Sequence, residues 1–414
     1  MIATGVNACR QEPVEQVLEA GRLAGMRGDS PIPGRRDGAD FYYAAMATAL
    51  AAHLDDFDDT HLQSGNVHAG SVALAASLGP AYAAGSSGPQ FLAAFALGCE
   101  VMFRAGMALA PAHHEEGWQP SSTVGPLAAA LASGVLLGLD QKRLVQALAI
   151  ACGQPLGHRE GFGTPAKALH PGLAAASGIL AARLARSGVS ADPFVFEAPG
   201  GFCDCLARHH RPETLVSELG ERWELLRNTY KPYPCGVVCH PVIDAALLVH
   251  ERLHPLDEIV AVDIRCHPLV AELVDRQQPE DGLQARFSVQ HAVAAALLWA
   301  AAGLDEYEDA RVVDPSARAL RARIGLSVDP ASDREHAEVA VTLASGTRVV
   351  GEVQGARGSL EHPLSDRDLS AKLGALTRRN LPGRAEAIEA AVRSLEEASD
   401  LSRLVAALTP ERPT

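Results

Sequence analysis

Apolar stretches rich in alanine and glycine constrain the fold of this chain more than any other feature of its sequence. Between about residues 38 and 188, apolar residues recur every three or four positions, and turn-forming residues separate the segments. Residues 127–139 and 173–186 are the clearest helices. Because alanine and glycine allow helix axes to approach closely, this part of the chain is expected to form a compact helical bundle with little sheet.

The pattern changes after about residue 227, where short alternating segments appear between helices. The turn Ser345-Gly346 separates two of these segments and predicts a hairpin. The chain becomes helical again from residue 365. The sequence therefore predicts a mainly α protein with a large all-helical domain, residues 1–228 completed by residues 365–414, and a smaller α+β lid domain, residues 229–364. The predicted lid and C-terminal elements are strands at 258–266, 323–328, 338–343 and 347–353, and helices at 240–253, 288–302, 367–377 and 384–408.

The length and charge of the chain limit its possible partners. Its 414 residues are long for one hydrophobic core and favour two domains. The formal net charge of -14 argues against nucleic acid and anionic membranes as main partners. An anionic substrate remains compatible with this charge, because a local pocket of basic residues can oppose the overall sign.

The sequence also predicts a cytoplasmic protein. The first residues lack the basic and apolar regions of a signal peptide. The apolar residues 91–112 are interrupted by Glu100 and Arg104, and residues 127–139 and 291–304 are shorter than the roughly 20 residues that span a bilayer. The eight scattered cysteines fit free thiols in a reducing compartment, and their spacing matches no common zinc site.

Residues 54–62 form the first candidate site, with four acidic residues in five positions. If the segment is helical, Asp56, Asp59 and Thr60 share one face, and His68 follows shortly after. Such a run repels itself and is unfavourable at a helix C-terminus, which favours a site with a cationic partner. A solvated acidic helix end is the structural alternative. A magnesium site is less favoured, because no phosphate-binding loop is nearby.

Two further segments carry polar residues beside apolar helices. Gln119 and a Ser/Thr run precede the helix at 127–139, where backbone N–H groups could hold a carboxylate; plain N-capping is the alternative. Lys167 and His170 lie in a loop rich in glycine and proline before a helix, where His170 is a candidate substrate-binding residue. Lys167 is one of only four lysines and could clamp a substrate or, if desolvated, act as a base. A surface lysine is the alternative.

The fourth segment, residues 230–240, places Lys231 and Tyr233 in a loop and His240 at the start of a helix. These side chains could position an anion, or they could simply be solvated. We group His291 with them, since it lies early in the next predicted helix. The sequence contains neither a Gly-x-Ser-x-Gly nucleophile motif nor a Walker or Rossmann glycine pattern. Acid–base chemistry without a bound nucleotide is what the residues permit.

Five segments in this order resemble the MmgE/PrpD family, whose members include dehydratases, a decarboxylase and an epimerase of small polycarboxylic acids. The resemblance implies a helical domain built from both chain ends, a lid domain, a homodimer, and a site between the domains without metal or organic cofactor. The matching segments are DFDDTHL with the later histidine, GWQPSSTVGPLAAA, GTPAKALHPGLAAASG, KPYPCGVVCHPVIDAA and RFSVQHAVAAALL.

By motif position, five residues match those implicated in the family's site: Asp56, Thr60, His68, Lys167 and Lys231. Two positions depart from the family. Its members usually have a histidine where this chain has Gln119, and its decarboxylase-like members have a tyrosine where this chain has His291. Because glutamine cannot transfer a proton as histidine does, proton transfer at Gln119 is in doubt, and His291 is the candidate replacement. The chain also begins later than is usual in the family, so an early helix is expected to be missing.

The resemblance and the residues together predict a dehydratase acting on a small hydroxy di- or tricarboxylate. Lys167 or His68 would remove a proton next to a carboxylate, and His68 or His291 would protonate the departing hydroxyl. Asp56 would orient the base, while Lys231, Thr60 and Gln119 would hold carboxylates. An epimerase with the same proton abstraction, a decarboxylase, and a relative that has lost catalysis are the alternatives.

Overall fold

The computed structural model of the protein is mainly α-helical, as predicted, with a smaller α+β part in the second half of the chain. The structure describes residues 1–161, 163–254 and 258–412. The predicted helical domain includes Phe162 and residues 413–414, and the predicted lid domain includes residues 255–257. All of these lie outside the described residues.

The first half of the chain is a bundle of helices with well-defined starts. Asp40 caps α3 by accepting a hydrogen bond from the backbone N–H of Tyr42, and Ser87 and Gln90 form a capping box at the start of α5. The helices are α1 (Ile2–Ala8), α2 (Glu12–Leu23), α3 (Phe41–Leu54), α4 (Ala69–Ala84), α5 (Gly88–Leu109), α6 (Ala112–Glu115), α7 (Pro120–Thr123), α8 (Gly125–Leu136), α9 (Gln141–Cys152), α10 (Pro165–Arg186) and α11 (Phe202–Leu206).

Helix α10 lies at the centre of this bundle, between α3 and α8. A Cβ atom on Gly172 would lie 2.7 Å from the carbonyl oxygen of Met46 in α3. A Cβ atom on Gly178 would lie 2.4 Å from the carbonyl oxygen of Pro126 in α8. Both positions therefore require glycine, and the helices approach each other as closely as the small residues of the sequence suggested.

Helix α5 is the one described helix that is long and apolar enough to cross a membrane by length and composition. It packs into the core of the bundle, where Met102 and Phe103 are fully buried. Its two charged residues satisfy each other, since Arg104 donates to Glu100 at 2.6 Å. These contacts explain how a helix of this composition carries an ion pair in the protein interior.

The second half of the chain builds a four-stranded sheet with helices packed on it. The strand order is β4-β3-β5-β6, with β3 and β4 parallel and the other pairs antiparallel. The predicted hairpin at Gly346 is confirmed. Two short strands lie outside this sheet: β1 (Asp59–Thr60), from the first half of the chain, and β2 (Thr229–Tyr230). The other elements are α12 (His240–His250), β3 (Ile259–Cys266), α13 (Pro268–Val274), α14 (Gly282–Ala285), α15 (Val289–Trp299), α16 (Asp309–Val312), α17 (Pro315–Arg321), β4 (Ile324–Val328), β5 (His336–Leu343) and β6 (Arg348–Gln354).

The C-terminal helices are α18 (Asp366–Thr377), α19 (Ala385–Arg393) and α20 (Ser402–Leu408). The prediction of one helix over residues 384–408 is wrong. After α19 the chain forms a single 3₁₀ turn and then leaves helical geometry, because the carbonyl oxygen of Ala398 accepts a hydrogen bond from the N–H of Gly88. Leucines of this region, including Leu395 and Leu404, share one hydrophobic cluster with Phe91 and Phe103 of α5.

Three local predictions around the candidate site are also wrong. The acidic segment is not helical, since α3 ends at Leu54 and the chain continues as a loop into β1. Lys167 and His170 do not precede a helix but lie within α10, which begins at Pro165, a residue favoured at the first helical position. The Ser/Thr run forms the short helix α7 and does not cap α8.

Candidate active site

The acidic loop between α3 and β1 is buried, and its carboxylates have separate partners. Asp55 accepts a hydrogen bond from Nη2 of Arg286 at 3.0 Å. Asp59 accepts from the backbone N–H of Gly70 at 3.1 Å and from Nδ2 of Asn228 at 2.7 Å. These bonds offset the repulsion within the run. They also hold Asp59 in the scaffold and away from the cavity described below, so its position gives no support to the substrate-binding role expected from its place in the acidic segment.

Asp56 is the carboxylate that joins the two lysines of the site. Nζ of Lys167 donates to its Oδ1, and Nζ of Lys231 lies 3.1 Å from the same oxygen. The Asp56 backbone has a φ of 50°, a left-handed conformation that few residues other than glycine adopt. Although burial raises the pKa of Asp56, the two lysines lower it well below its ordinary value. Asp56 is therefore a carboxylate.

The two lysines have opposite pKa shifts, although both are almost completely buried. Burial lowers the pKa of Lys167 and outweighs the opposing effect of Asp56. For Lys231, the carboxylates of Asp56 and Asp58 outweigh burial and raise the pKa. Lys231 is thus a fixed cation, whereas Lys167 releases its proton more readily.

His68 precedes α4 and is held in one tautomer. Its Nδ1 lies 2.6 Å from the carbonyl oxygen of Asp59 and 3.2 Å from Oγ1 of Thr60. Because a carbonyl only accepts, Nδ1 carries the hydrogen and Nε2 keeps its lone pair. Burial, together with Lys231, lowers the pKa of His68 to about 3 despite the opposing effect of Asp58. His68 is therefore a neutral imidazole with Nε2 available as an acceptor.

A buried hydrogen-bonded pair, His53 and Asp58, lies beside His68 and was missed at the sequence level. Nδ1 of His53 lies 2.5 Å from Oδ2 of Asp58, and both side chains are fully buried. The other oxygen of Asp58 is 3.7 Å from Nδ1 of His68 and 3.8 Å from Nζ of Lys231. Asp58 therefore connects His53 to two residues of the site. A histidine in the last turn of the helix before an acidic run was the available signal.

His53, Asp58 and His68 are also the described residues with the spacing of a metal site, since one donor atom from each lies within 4.8 Å of the others. Their chemistry fits a hydrogen-bonded network better. Nδ1 of each histidine already has an oxygen partner, and the ammonium of Lys231 supplies positive charge beside Asp58. A metal ion would have to compete with all three.

These groups line a cavity between the helical bundle and the α+β part. Its volume is about 60 Å³, well below the ~300 Å³ at the lower end of ordinary ligand pockets. A di- or tricarboxylate therefore requires the two walls to separate. The bundle contributes Asp56, Gly65, Asn66, His68, His114, Gln119, Pro120, Ser121 and Lys167; the facing residues are Lys231, Gly236, Val237, Val238, Leu273, Val274 and Phe287.

Gln119 lines the cavity, but its amide is occupied by protein partners. Its Oε1 accepts from Oγ of Ser122 at 2.6 Å and lies 3.1 Å from Nδ1 of His170. Its Nε2 donates to the carbonyl oxygen of Lys167 at 3.3 Å. His170 is held behind Gln119 and does not line the cavity, so its predicted contact with substrate is indirect.

Three other predicted substrate-binding residues lie outside this cavity. Thr60 is fully buried and supports His68 through its Oγ1. The hydroxyl of Tyr233 donates to Asp244 at 2.5 Å, which turns it away. His240 packs edge-on against Tyr233 and lines a neighbouring cavity. Neither Tyr233 nor His240 lines the cavity, whereas loop residues 236–238 do, so their positions give no support to the predicted contact with substrate here.

His291 is not brought to the cavity either. It lies on α15 with no exposed surface. Its Nε2 donates to the carbonyl oxygen of Glu306 at 2.9 Å, and its Nδ1 accepts from Arg321 at 3.1 Å. Helix α15 turns this face into the interior of the α+β part, against the ring of Tyr307. The structure therefore places His291 away from the cavity, and its position gives no support to the predicted catalytic role.

Two polar cavity residues, His114 and Asn66, were not predicted. His114, on α6, lines the wall beside Gln119. Asn66 lies where the cavity meets its neighbour and has a φ of 67°. The signal for His114 was weak: it lies one residue before the polar segment that drew attention at the sequence level.

Comparison with known proteins agrees with the resemblance seen in the motifs. The family model described as the MmgE/PrpD N-terminal domain matches residues 1–215, and that of the MmgE/PrpD C-terminal domain matches residues 233–397. The chain therefore belongs to the MmgE/PrpD family.

Its relatives are enzymes. Human cis-aconitate decarboxylase is 31% identical over 391 residues, which cover 90% of this chain and 80% of the relative. A cis-aconitate decarboxylase-like protein of Aspergillus oryzae is 26% identical over 403 residues, 89% of this chain and 82% of the relative. The 2-methylcitrate dehydratase of Cupriavidus necator is 31% identical over 255 residues, 55% of this chain and 50% of the relative.

Proposed function

We propose that this protein is a dehydratase that removes water from a small hydroxy-polycarboxylic acid by proton transfer. The observation that carries the proposal is the neutral imidazole of His68 beside the two lysines that share Asp56. A base and a fixed cation facing one cavity are parts that this reaction needs.

His68 is the base in this scheme. Its Nδ1–H is held by the carbonyl of Asp59, and its low pKa keeps it unprotonated at neutral pH. Nε2 would take the proton next to a substrate carboxylate. Asp58, 3.7 Å from Nδ1, stabilises the imidazolium that forms.

The two lysines hold the substrate carboxylate. Removal of the neighbouring proton places further negative charge on that carboxylate, and two ammonium groups at fixed positions stabilise this charge more in the transition state than in the ground state. Lys231 keeps its proton throughout because its pKa is raised. Asp56 fixes both ammonium groups and so orients them before the substrate arrives.

In the elimination, the C–H electron pair becomes the new C=C bond, and the C–O bond to the hydroxyl breaks with its electron pair leaving on oxygen. Hydroxide is a poor leaving group, so a second group in the cavity must protonate that oxygen as it departs. Water and an unsaturated polycarboxylate are the products.

Decarboxylation of an unsaturated polycarboxylate is the second candidate, and the similarity to human cis-aconitate decarboxylase over 90% of the chain favours it. Loss of carbon dioxide needs a proton donor but no base. A neutral His68 suits dehydration better, because it can accept a proton but has none to spare on Nε2. Epimerisation shares the first step with dehydration and stops at proton return.

The proposal includes the setting predicted from the sequence. The enzyme acts as a homodimer in the cytoplasm, without metal or organic cofactor, on a di- or tricarboxylate anion. The buried lysine pair supplies local positive charge within a chain of net charge -14.

Proton NMR in D₂O on a panel of citrate-, malate-, aconitate- and aspartate-like acids tests the proposal. Dehydration gives vinylic signals, epimerisation gives deuterium incorporation without water loss, and decarboxylation gives carbon dioxide. The Lys167→Ala variant is the control and is expected to lose the reaction. A folded wild-type protein that neither exchanges protons nor releases water with any acid would refute the proposal.

A further inference from the structure

His114 is a cavity residue to which the reaction described so far gives no role. It lies on α6, in the same cavity wall as Gln119 and in the same cavity as His68 and Lys167. The end of α6 is tied to the facing wall, because Arg159 donates to the carbonyl oxygen of His114 at 3.2 Å and pairs with Glu272 of α13 at 3.2 Å. Through Arg159, the backbone of His114 is therefore connected to the facing wall.

The ring of His114 has no side-chain partner among the residues that the structure describes. Both Nδ1 and Nε2 are buried, and neither meets strict hydrogen-bond geometry with a described protein atom, although the backbone of Trp118 lies close enough to raise the pKa of the ring. A buried polar group without a partner destabilises the fold, so such groups generally find a partner or serve a ligand. The partner of His114 is thus expected in the cavity itself.

Gln119, the neighbouring polar residue of this wall, cannot take this role. Its amide is already bonded to Ser122, Lys167 and His170. An amide also has no proton to give at any ordinary pH. His114 is the residue of this wall that has both a free ring nitrogen and a titratable proton.

We infer that His114 is the catalytic acid that protonates the departing hydroxyl of the substrate. The inference rests on the proposed dehydration. The proton passes from a ring nitrogen of His114 to the hydroxyl oxygen as the C–O bond breaks, and His68 holds the proton taken from carbon. His68 and His114 both line the bundle side of the cavity, so a polycarboxylate bound between the walls can reach both residues at once.

His114 becomes protonated when the substrate binds. Burial and the guanidinium of Arg159 lower the pKa of His114 to about 4, and His113 acts in the same direction, while Glu272 and the backbone of Trp118 oppose them. A bound polycarboxylate brings negative charges next to the ring, and nearby negative charge favours the imidazolium. Binding therefore creates the acid at the place where the hydroxyl needs it.

The His114→Gln variant separates proton abstraction from loss of the hydroxyl. With the acid that the wild type dehydrates, the variant is expected to keep deuterium exchange at carbon within about threefold and to lose water release about 100-fold. Lys167→Ala, in contrast, loses both signals. Proton NMR in D₂O reads both rates in one sample.

His158→Gln is the matched control. His158 stacks on Trp118 at 5.2 Å and does not line the cavity, so its loss is expected to leave both rates unchanged. Thermal unfolding of the three variants checks that each is folded. Water release by His114→Gln within threefold of the wild type would overturn the inference.

Two further measurements keep the inference testable. Adding Gln119→His to His114→Gln offers a replacement acid in the same wall and is expected to restore at least part of the water release.

If the wild type dehydrates none of the acids, the proposed function fails, and binding decides the role of His114. The ratio of dissociation constants for tricarballylate and citrate, which differ by one hydroxyl, is then expected to fall to about one in His114→Gln. A ratio that His114→Gln leaves unchanged, or a wild-type ratio near one, would overturn the inference.

Discussion

The cavity and the interior of the α+β part each contain a buried neutral histidine, His68 and His291 respectively. The two histidines differ in which ring nitrogens are hydrogen-bonded to protein atoms. His68 gives Nδ1 to a backbone carbonyl and keeps Nε2 for the cavity. His291 gives Nε2 to a backbone carbonyl, and its Nδ1 accepts from Arg321. Burial lowers the pKa of both, to about 3 and about 4 respectively. The same residue type in similarly buried surroundings thus serves chemistry in one region and packing in the other.

The comparison of His68 with His291 indicates that burial and a shifted pKa do not by themselves identify a functional residue. The decisive feature is whether a ring nitrogen remains for a ligand. At the cavity floor two lysines, two carboxylates and His53 surround His68 without taking Nε2. In the α+β part, Arg321 and Glu306 complete the hydrogen bonds of His291 and leave it nothing to donate or accept.

The largest expected effect comes from His68→Gln. Glutamine keeps a polar side chain but cannot accept the proton, so kcat should fall about 10²–10⁴-fold, the usual contribution of a general base. Denaturant unfolding should show a much smaller relative change. Steady-state kinetics on the acid identified by NMR provides the measurement. Retention of more than a tenth of the wild-type kcat would break the comparison, because His68 would then be as dispensable as His291.

Lys167→Arg tests the assignment of the two lysines. The pKa of Lys167 is lowered, so kcat/KM of the wild type should decline on the alkaline side below pH 10.5, the ordinary value for lysine. Arginine stays protonated, so this decline should move to higher pH in the variant, while neutral-pH activity falls about tenfold from the changed geometry. A pH–rate profile shows both effects. An alkaline decline at the same pH in both proteins would assign it to another group.

His291→Gln sharpens the comparison from the other side. The variant should lose about 1–3 kcal/mol of unfolding free energy, because Arg321 or the Glu306 carbonyl is left without its buried partner. Activity per folded molecule should stay unchanged. Urea unfolding and active-site titration separate the two quantities. A large loss of kcat at wild-type stability would return His291 to the mechanism.

The last prediction concerns the pH dependence of stability. The folded pKa values of His68 and His291 lie far below the 6.5 of the unfolded chain, so between about pH 6.5 and 4 the unfolded state binds protons that the native state does not. Stability should therefore fall as the pH falls through this window, by up to about 1.4 kcal/mol per pH unit for each group.

A ligand distinguishes the two regions in this measurement. Saturating tricarballylate should flatten the part of the slope due to His68, because the bound anion raises the pKa of cavity groups, but not the part due to His291. Urea unfolding at pH 7, 6 and 5, with and without tricarballylate, gives the slopes. Equal flattening in the His68→Gln protein and the wild type would contradict the assignment.

The helical bundle and the hairpin at Gly346 were predictable from the sequence, as were the segments that carry four of the cavity residues. Periodicity over short windows predicts helices and strands because the pattern of apolar residues is local. Asp56, His68, Lys167 and Lys231 were found because they lie in segments whose composition is unusual and whose order matches a family. Each of these signals can be read without knowing which segments meet.

The directions of the Asp59, His291, His53 and His114 side chains could not be predicted without the tertiary structure. Asp59 and His291 were plausible site residues until Gly70 and Arg321 proved to be their partners, and both partners are distant from them in sequence or on another element. His53 and His114 look ordinary in the sequence and enter the site because α3 and α6 end beside it. The physical reason is that a polar side chain faces the partner that satisfies its hydrogen bonds, and packing of distant segments decides which partner is within reach.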